Sequence, residues 1–323
     1  MGHRVRRAFA GALLAIGLAQ DARAQATSWP DKPVKLILPY APGGATDLIG
    51  RPWADKLSQV MGQQFVIENR GGAGGMIGTE AAAKAPADGY TFLLTPNATL
   101  TILPSLRTVP YDALKSFEPV GRVGDLVCGF VIHPAVGVKN LPEMVAYAKK
   151  HPGKLAYGSA GLGTATQLRV EMLKYRAGID ILHVPYRGSA DALNDLLPNT
   201  VQMMNEINVL PHVKAGKLIL LNINYPTRHP DFPDVPTLTE LGYRDADIPI
   251  WYLVVAPAGT PKDILAKFNA TLIELAKSDD IIAKMRAINV IVPLQTPEEI
   301  RAHMVEDTKR NAELIKTANI KLE

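Results

Sequence analysis

Short apolar runs alternate along the chain with longer segments whose apolar residues recur at helical spacing. Residues 34–39 form the first run, and a proline ends it. Ile49, Trp53, Leu57 and Val60 then return every three to four positions, which predicts a helix from a capping Asp47 to about Met61. Pro52 removes one backbone bond from it. Residues 64–68 predict a second strand, 76–85 a short helix of small residues, and 90–95 a third strand. Two further apolar strands, 117–123 and 126–133, are separated by Gly124-Asp125.

The alternation restarts near Asn140, where Asn140 and Glu143 predict a capped helix over 141–150. A strand at 155–158, a helix at 164–176, a strand at 181–184 and a helix at 190–197 capped by Ser189 follow. Strands at 201–204 and 218–223 continue the pattern, and Pro230 to Pro236 interrupts it. The run 250–256 is strongly apolar, and helices at 261–277, 279–288 and 297–317 complete the chain, with a short strand at 290–292. Strand and helix in alternation predict parallel α/β sheets. The units at 34–61 and 155–176 share one layout of strand, Gly-rich turn and helix start, so two similar lobes are expected. A ligand would sit between them at the helix starts.

Charge changes the picture once the first residues are set apart. Arg4, Arg6 and Arg7 precede an apolar stretch at 8–19, and Ala24-Gln25-Ala26 is a small-x-small cut site. This predicts a secretory signal over 1–26, too short in its apolar core to span a membrane. The signal holds four arginines and one aspartate, +3 of the chain's +4, so the mature part is near +1. The basic balance therefore belongs to the leader and does not indicate nucleic acid. Cys128 is the single cysteine, excludes an internal disulfide, and is expected as a small buried apolar residue.

Three turns carry candidate chemistry. Gly43-Gly44 precedes a helix start whose free amides attract an anion, although a tight turn alone also accounts for the glycines. Ser159 and Thr164 offer hydroxyls at a second such turn, with ordinary capping as the alternative. Arg187 in Tyr186-Arg187-Gly188-Ser189 is suited to bidentate anion pairing or to plain exposure. The glycines at 71, 72, 74, 75 and 78 miss the dinucleotide spacing, because Ile77 stands where glycine is needed. Gly158-Ser159 misses the nucleophile elbow. No spacing nominates a catalytic set, a cofactor or a metal.

Pro39-Tyr40-Ala41-Pro42-Gly43-Gly44-Ala45-Thr46-Asp47 resembles the opening of the Bug, or tripartite tricarboxylate transporter, substrate-binding proteins. Glu68-Asn69-Arg70-Gly71-Gly72-Ala73-Gly74-Gly75, His183-Val184-Pro185-Tyr186-Arg187-Gly188 and Ala256-Pro257-Ala258-Gly259-Thr260-Pro261 extend the resemblance over the mature chain. The resemblance implies a periplasmic α/β protein of two lobes, each a mostly parallel sheet flanked by helices, joined by crossover strands. It implies capture of a small aliphatic or aromatic carboxylate for a membrane permease of large and small subunits, by a monomer. Lobe one would comprise 27–123 plus 249–323, and lobe two 124–248.

Carried onto this chain, the resemblance nominates Tyr40, Gly43, Gly44, Ala45 and Thr46 in the first turn. Thr95, Asn97, Ala98 and Thr99 follow the third strand. The second lobe offers Ser159, Gly161, Thr164, Tyr186 and Arg187. Glu206 stands where the family commonly has aspartate, one methylene shorter, and Gln167 where histidine is common; Asn205, Asn222 and Asn224 also depart from the pattern. These departures bear on which solute is bound. Two other classes stay open: a secreted α/β enzyme acting on a carboxylate, and a ligand-sensing partner of a signalling system.

Overall fold

The computed structural model describes residues 29–321, and the expected signal lies outside them. Two sheets organise the chain. The first part supplies β1 (Val34–Leu38), α1 (Ala45–Met61), β2 (Phe65–Asn69), α2 (Met76–Ala83) and β3 (Thr91–Pro96). Two short helices, α3 (Ala98–Thr101) and α4 (Leu103–Leu106), lead to the long β4 (Phe117–Leu126). Then come β5 (Val131–Ile132), α5 (Leu141–Lys150), β6 (Ala156–Ser159), α6 (Ala165–Ala177), β7 (Leu182–Pro185) and α7 (Ser189–Leu196). After β8 (Met203–Met204), α8 (Leu210–Lys214) and β9 (Ile219–Leu220), a long connection reaches β10 (Trp251–Pro257). The chain ends in α9 (Lys262–Ala276), α10 (Asp279–Ala287), β11 (Val290–Ile291) and α11 (Pro297–Thr317).

The first sheet has the order β11-β4-β10-β3-β1-β2 and the second β7-β6-β8-β5-β9. Each is parallel where βα units alternate: β1 with β2 and β3, and β6 with β7 and β8. Each also has antiparallel pairs. β10 runs against both β3 and β4, β11 against β4, and β5 against β8 and β9. The sheets are thus mixed.

Three local expectations need correction. The runs at 117–123 and 126–133 are not divided at Gly124: β4 continues to Leu126. Gly124 keeps its place in the strand because a side chain there would meet Val290 of β11. Asp47 does not cap α1. Gly44 takes that position, while the Asp47 carboxylate accepts from the Gly43 amide at 3.0 Å and pairs with Arg51 at 2.8 Å. Burial opposes its ionisation, yet Arg51, Gly43 and Asn69 hold its carboxyl below its usual range. Ser189 is the first residue of α7 rather than its cap, which is Gly188.

Packing follows the predicted periodicity over most of α1. Ile49, Trp53 and Leu57 are buried against the first sheet, whereas Val60 in the last turn is exposed. Trp29, Phe65, Phe92 and Phe268 form an aromatic cluster beneath α9, with ring centroids 4.7 to 6.2 Å apart. Edge contacts of this kind add about 1 kcal/mol each beyond burial. Cys128 is fully buried, as its apolar neighbours predict.

Candidate functional site

Three helix starts converge between the two sheets. The first turn of α1 follows β1, that of α6 follows β6, and that of α7 follows β7. In each case a strand ends in a turn containing Gly, Ser or Thr at the positive end of a helix. Together they wall a cavity of about 20 Å³, with Gly44, Ala45 and Thr46 from α1, Thr164 to Thr166 from α6, and Ser189 from α7. That volume is close to one water molecule.

The lobes are in contact across it. The Ala45 amide donates to Ser189 Oγ at 3.1 Å. A hydroxyl oxygen of one lobe therefore occupies the acceptor position at a helix start of the other. Gly74 lies so near the Leu162 carbonyl that a side chain there would collide with it. Gly161, at φ +127°, approaches Gly74 Cα and the Tyr186 carbonyl in the same seam.

The remaining walls come from β10 and from the segments after β1, β3 and β8. Tyr40 lines the cavity and donates from its hydroxyl to the Gly74 carbonyl at 3.0 Å. Pro96, Ala98, Ile250 and Tyr252 close one side, and Ala160 the other. Glu206 is the acidic member, only 4% exposed. Its Oε2 accepts from the Ile207 amide at 3.3 Å. Burial pushes its carboxyl up to about 7, against the opposing pull of the Arg169 guanidinium and the Ile207 amide.

Seven of the fifteen nominated residues meet at this cavity: Tyr40, Gly44, Ala45, Thr46, Ala98, Thr164 and Glu206. The others lie around it in supporting positions. Gly43 binds Asp47 through its amide, at φ +78°. Thr95 and Thr99 share a hydrogen bond of 2.7 Å beneath Ala98. Asn97 donates to Asp307 at 2.9 Å and accepts from the Trp251 amide at 3.3 Å, fastening β3 to β10 and α11. Tyr186 donates to Asp195 at 2.6 Å, and Arg187 points to solvent as an exposed residue.

Ser159 is 2.7 Å from His183 Nε2, the separation of a nucleophile and its base. Ser159 is nevertheless fully buried, and its oxygen accepts from the Gly161 amide at 3.1 Å. His183 stacks on Tyr157 with centroids 4.7 Å apart. Burial, with Lys174 nearby, lowers its imidazole to about 4. The pair braces the turn that presents Ala160 and Gly161.

Seven cavity residues escaped the site prediction: Pro96, Ala160, Ala165, Thr166, Ser189 as a lobe-to-lobe acceptor, Ile250 and Tyr252. Ser189 was visible in the sequence as a helix-start hydroxyl. Ile250 and Tyr252 belong to an apolar run that has the pattern of a core strand, and nothing in it marks the face turned to the cavity. Among the described residues no cluster of His, Cys, Asp and Glu has the arrangement of a metal site.

Comparison with known proteins places this geometry. A family model for the tripartite tricarboxylate transporter family receptor matches residues 49–320. Protein BugT of Bordetella pertussis (strain Tohama I) is 35% identical over 304 residues, 92% of each chain. The solved structure of the periplasmic binding protein BugD superposes with a TM-score of 0.87 at 33% identity, covering 91% of this chain and 100% of that one. Rpa4515 of R. palustris, solved with adipate, gives 0.87 at 32% identity, covering 91% and 99%.

Proposed function

The chain belongs to the tripartite tricarboxylate transporter receptor family, and from that premise we propose that the cleft between the lobes, which opens to admit a solute and is here narrowed to the cavity walled by α1, α6 and α7, captures a small organic carboxylate. It is a periplasmic solute-binding protein, and it delivers its solute to a membrane permease of large and small subunits. The mature protein works as a monomer, after cleavage near Ala26. Lobe one comprises 27–123 with 249–323, and lobe two 124–248.

The observation that carries this reading is the meeting of three helix starts from both lobes at one point. Helix-start amides suit carboxylate oxygens. The Ser189 hydroxyl already occupies one such oxygen position on Ala45. A solute bridging the lobes stabilises their contact only through its higher affinity for the closed form. The buried, internally bonded Ser159 favours binding over turnover, because its hydroxyl has no path to a solute.

A thermal-shift panel of mono-, di- and tricarboxylates tests the proposal, with adipate and malate included because related proteins were solved with them. At least one carboxylate is expected to raise the melting temperature in a saturable way and to be recovered unchanged. Conversion of the solute into a product would sink the binding reading in favour of an enzyme. A panel with no shift at all would sink the carboxylate class.

A further inference from the structure

One cavity wall contradicts the others in charge. Three positive helix ends and the hydroxyl-bearing Thr46, Thr164, Thr166 and Ser189 line the space, and the acidic Glu206 lines it too. A carboxylate solute and an ionised Glu206 would repel each other at close range between the lobes. Resting on the proposed capture site, we infer that Glu206 selects the solute as a neutral carboxylic acid, donating its hydrogen to an acceptor oxygen on the solute. The solute class is then a carboxylate with a second acceptor group, such as another carboxylate or a hydroxyl, rather than an amino acid. Above neutrality, where the solute-free carboxyl is ionised, a proton is taken from the solvent onto Glu206 as the solute is captured.

The neighbours of Glu206 support a donor over an ion-pairing role. Arg169 on α6 is the cation close to it, and Arg169 is itself fully buried. Its Nε donates to the Ile248 carbonyl at 2.7 Å and its guanidinium also faces Asp247, so its charge is shared. Cys128 lies on the crossing segment, Tyr40 after β1 and Tyr252 on β10; burial raises all three, so they stay protonated. From α1 and α7 the cavity receives the uncharged Gly44, Ala45, Thr46 and Ser189. An ammonium group on the solute would have to lie among the positive helix ends and near Arg169. An acceptor oxygen meets no such opposition. Burial raises the Glu206 carboxyl itself, which keeps the proton available near neutrality.

Calorimetric titration with adipate and malate, in two buffers of different ionisation enthalpy, reads the proton directly. Between about pH 7.5 and 9 both probes stay fully ionised, so any pH dependence comes from the protein. The better-bound probe is expected to lose about tenfold in affinity per pH unit, with uptake approaching one proton per solute. Glu206→Gln keeps the size and the hydrogen-bond donor, so it should bind with no proton uptake and no pH slope. Aspartate, which adds an ammonium to the same acid frame, should bind more weakly than malate. Affinity that is flat or rises with pH in the parent protein, or uptake that persists in Glu206→Gln, would overturn the role of Glu206 and leave the capture site standing. Absence of binding by either probe at every pH, together with a blank thermal-shift panel, removes the capture site and this inference with it.

Discussion

Glu206 and His183 carry the two largest opposed departures among the described acids and histidines near the cavity. Burial raises the Glu206 carboxyl from 4.5 to about 7 and lowers the His183 imidazole from 6.5 to about 4. Between its two values Glu206 holds more proton in the folded than in the unfolded protein, so its contribution is complete below 4.5 and is lost as pH rises toward 7. His183 does the reverse: the unfolded imidazole holds the extra proton, and stability is lost as pH falls from 6.5 toward 4. Each swing is about 3 kcal/mol. Over the shared window the two contributions oppose each other, so removing either shifts the pH slope of the solute-free protein toward the other. Urea midpoints across that window check this. Glu206→Gln should expose a rise with pH and His183→Gln a fall; equal slopes in the two variants would refute the assignment. The sequence showed Glu206 as a departure in length, but its burial depends on α6, β10 and the first turn of α1 folding over it.

At the scale of elements, α11 shows which contacts the sequence could and could not announce. Thr296 and Glu299 form a reciprocal cap, with bonds of 3.2 and 2.8 Å, and the three-residue spacing alone predicted it. Thr296→Ala should cost about 1 kcal/mol, read as a shift in the thermal midpoint. Asp307 sits two turns further on and is 3% exposed. It accepts from Asn97 at 2.9 Å and from the Trp251 indole at 2.7 Å. Asp307→Ala leaves two buried donors unpaired and should cost roughly 2–5 kcal/mol, the larger loss of the two. Asn97 was nominated as a site residue by the family resemblance. Its partner stands 210 positions away, and no local pattern encodes that distance. The βα turns were legible for the opposite reason: strand, glycine, hydroxyl and helix lie within ten residues of one another.

Across the whole molecule, closure is a matter of backbone meeting backbone. Gly74 of the first lobe lies against the Leu162 carbonyl of the second, at φ +67°. Gly74→Ala adds local strain of about 1–2 kcal/mol and, more importantly, a wedge in the seam. The variant is expected to remain folded by circular dichroism, to scatter as a more open particle, and to bind its carboxylate at least about tenfold less tightly, since the competent closed form is less populated. Unchanged affinity would show that capture does not require this seam. The sequence predicted two lobes from a repeated layout, and the two sheets carry that layout. It could not fix how each sheet is completed, because β10 and β5 pair with strands far from them in the chain.

The central place of β10 has a consequence for the order in which the molecule assembles. β10 separates β3 from β4, yet it begins only at Trp251. Until that residue is available, both neighbours present bare edges, and the first lobe has no continuous sheet. Pairings so distant in sequence form slowly. A chain expected to carry an export signal gains time from this delay: it stays threadable until its last third has arrived, and becomes compact only when β10 slots between strands made long before it.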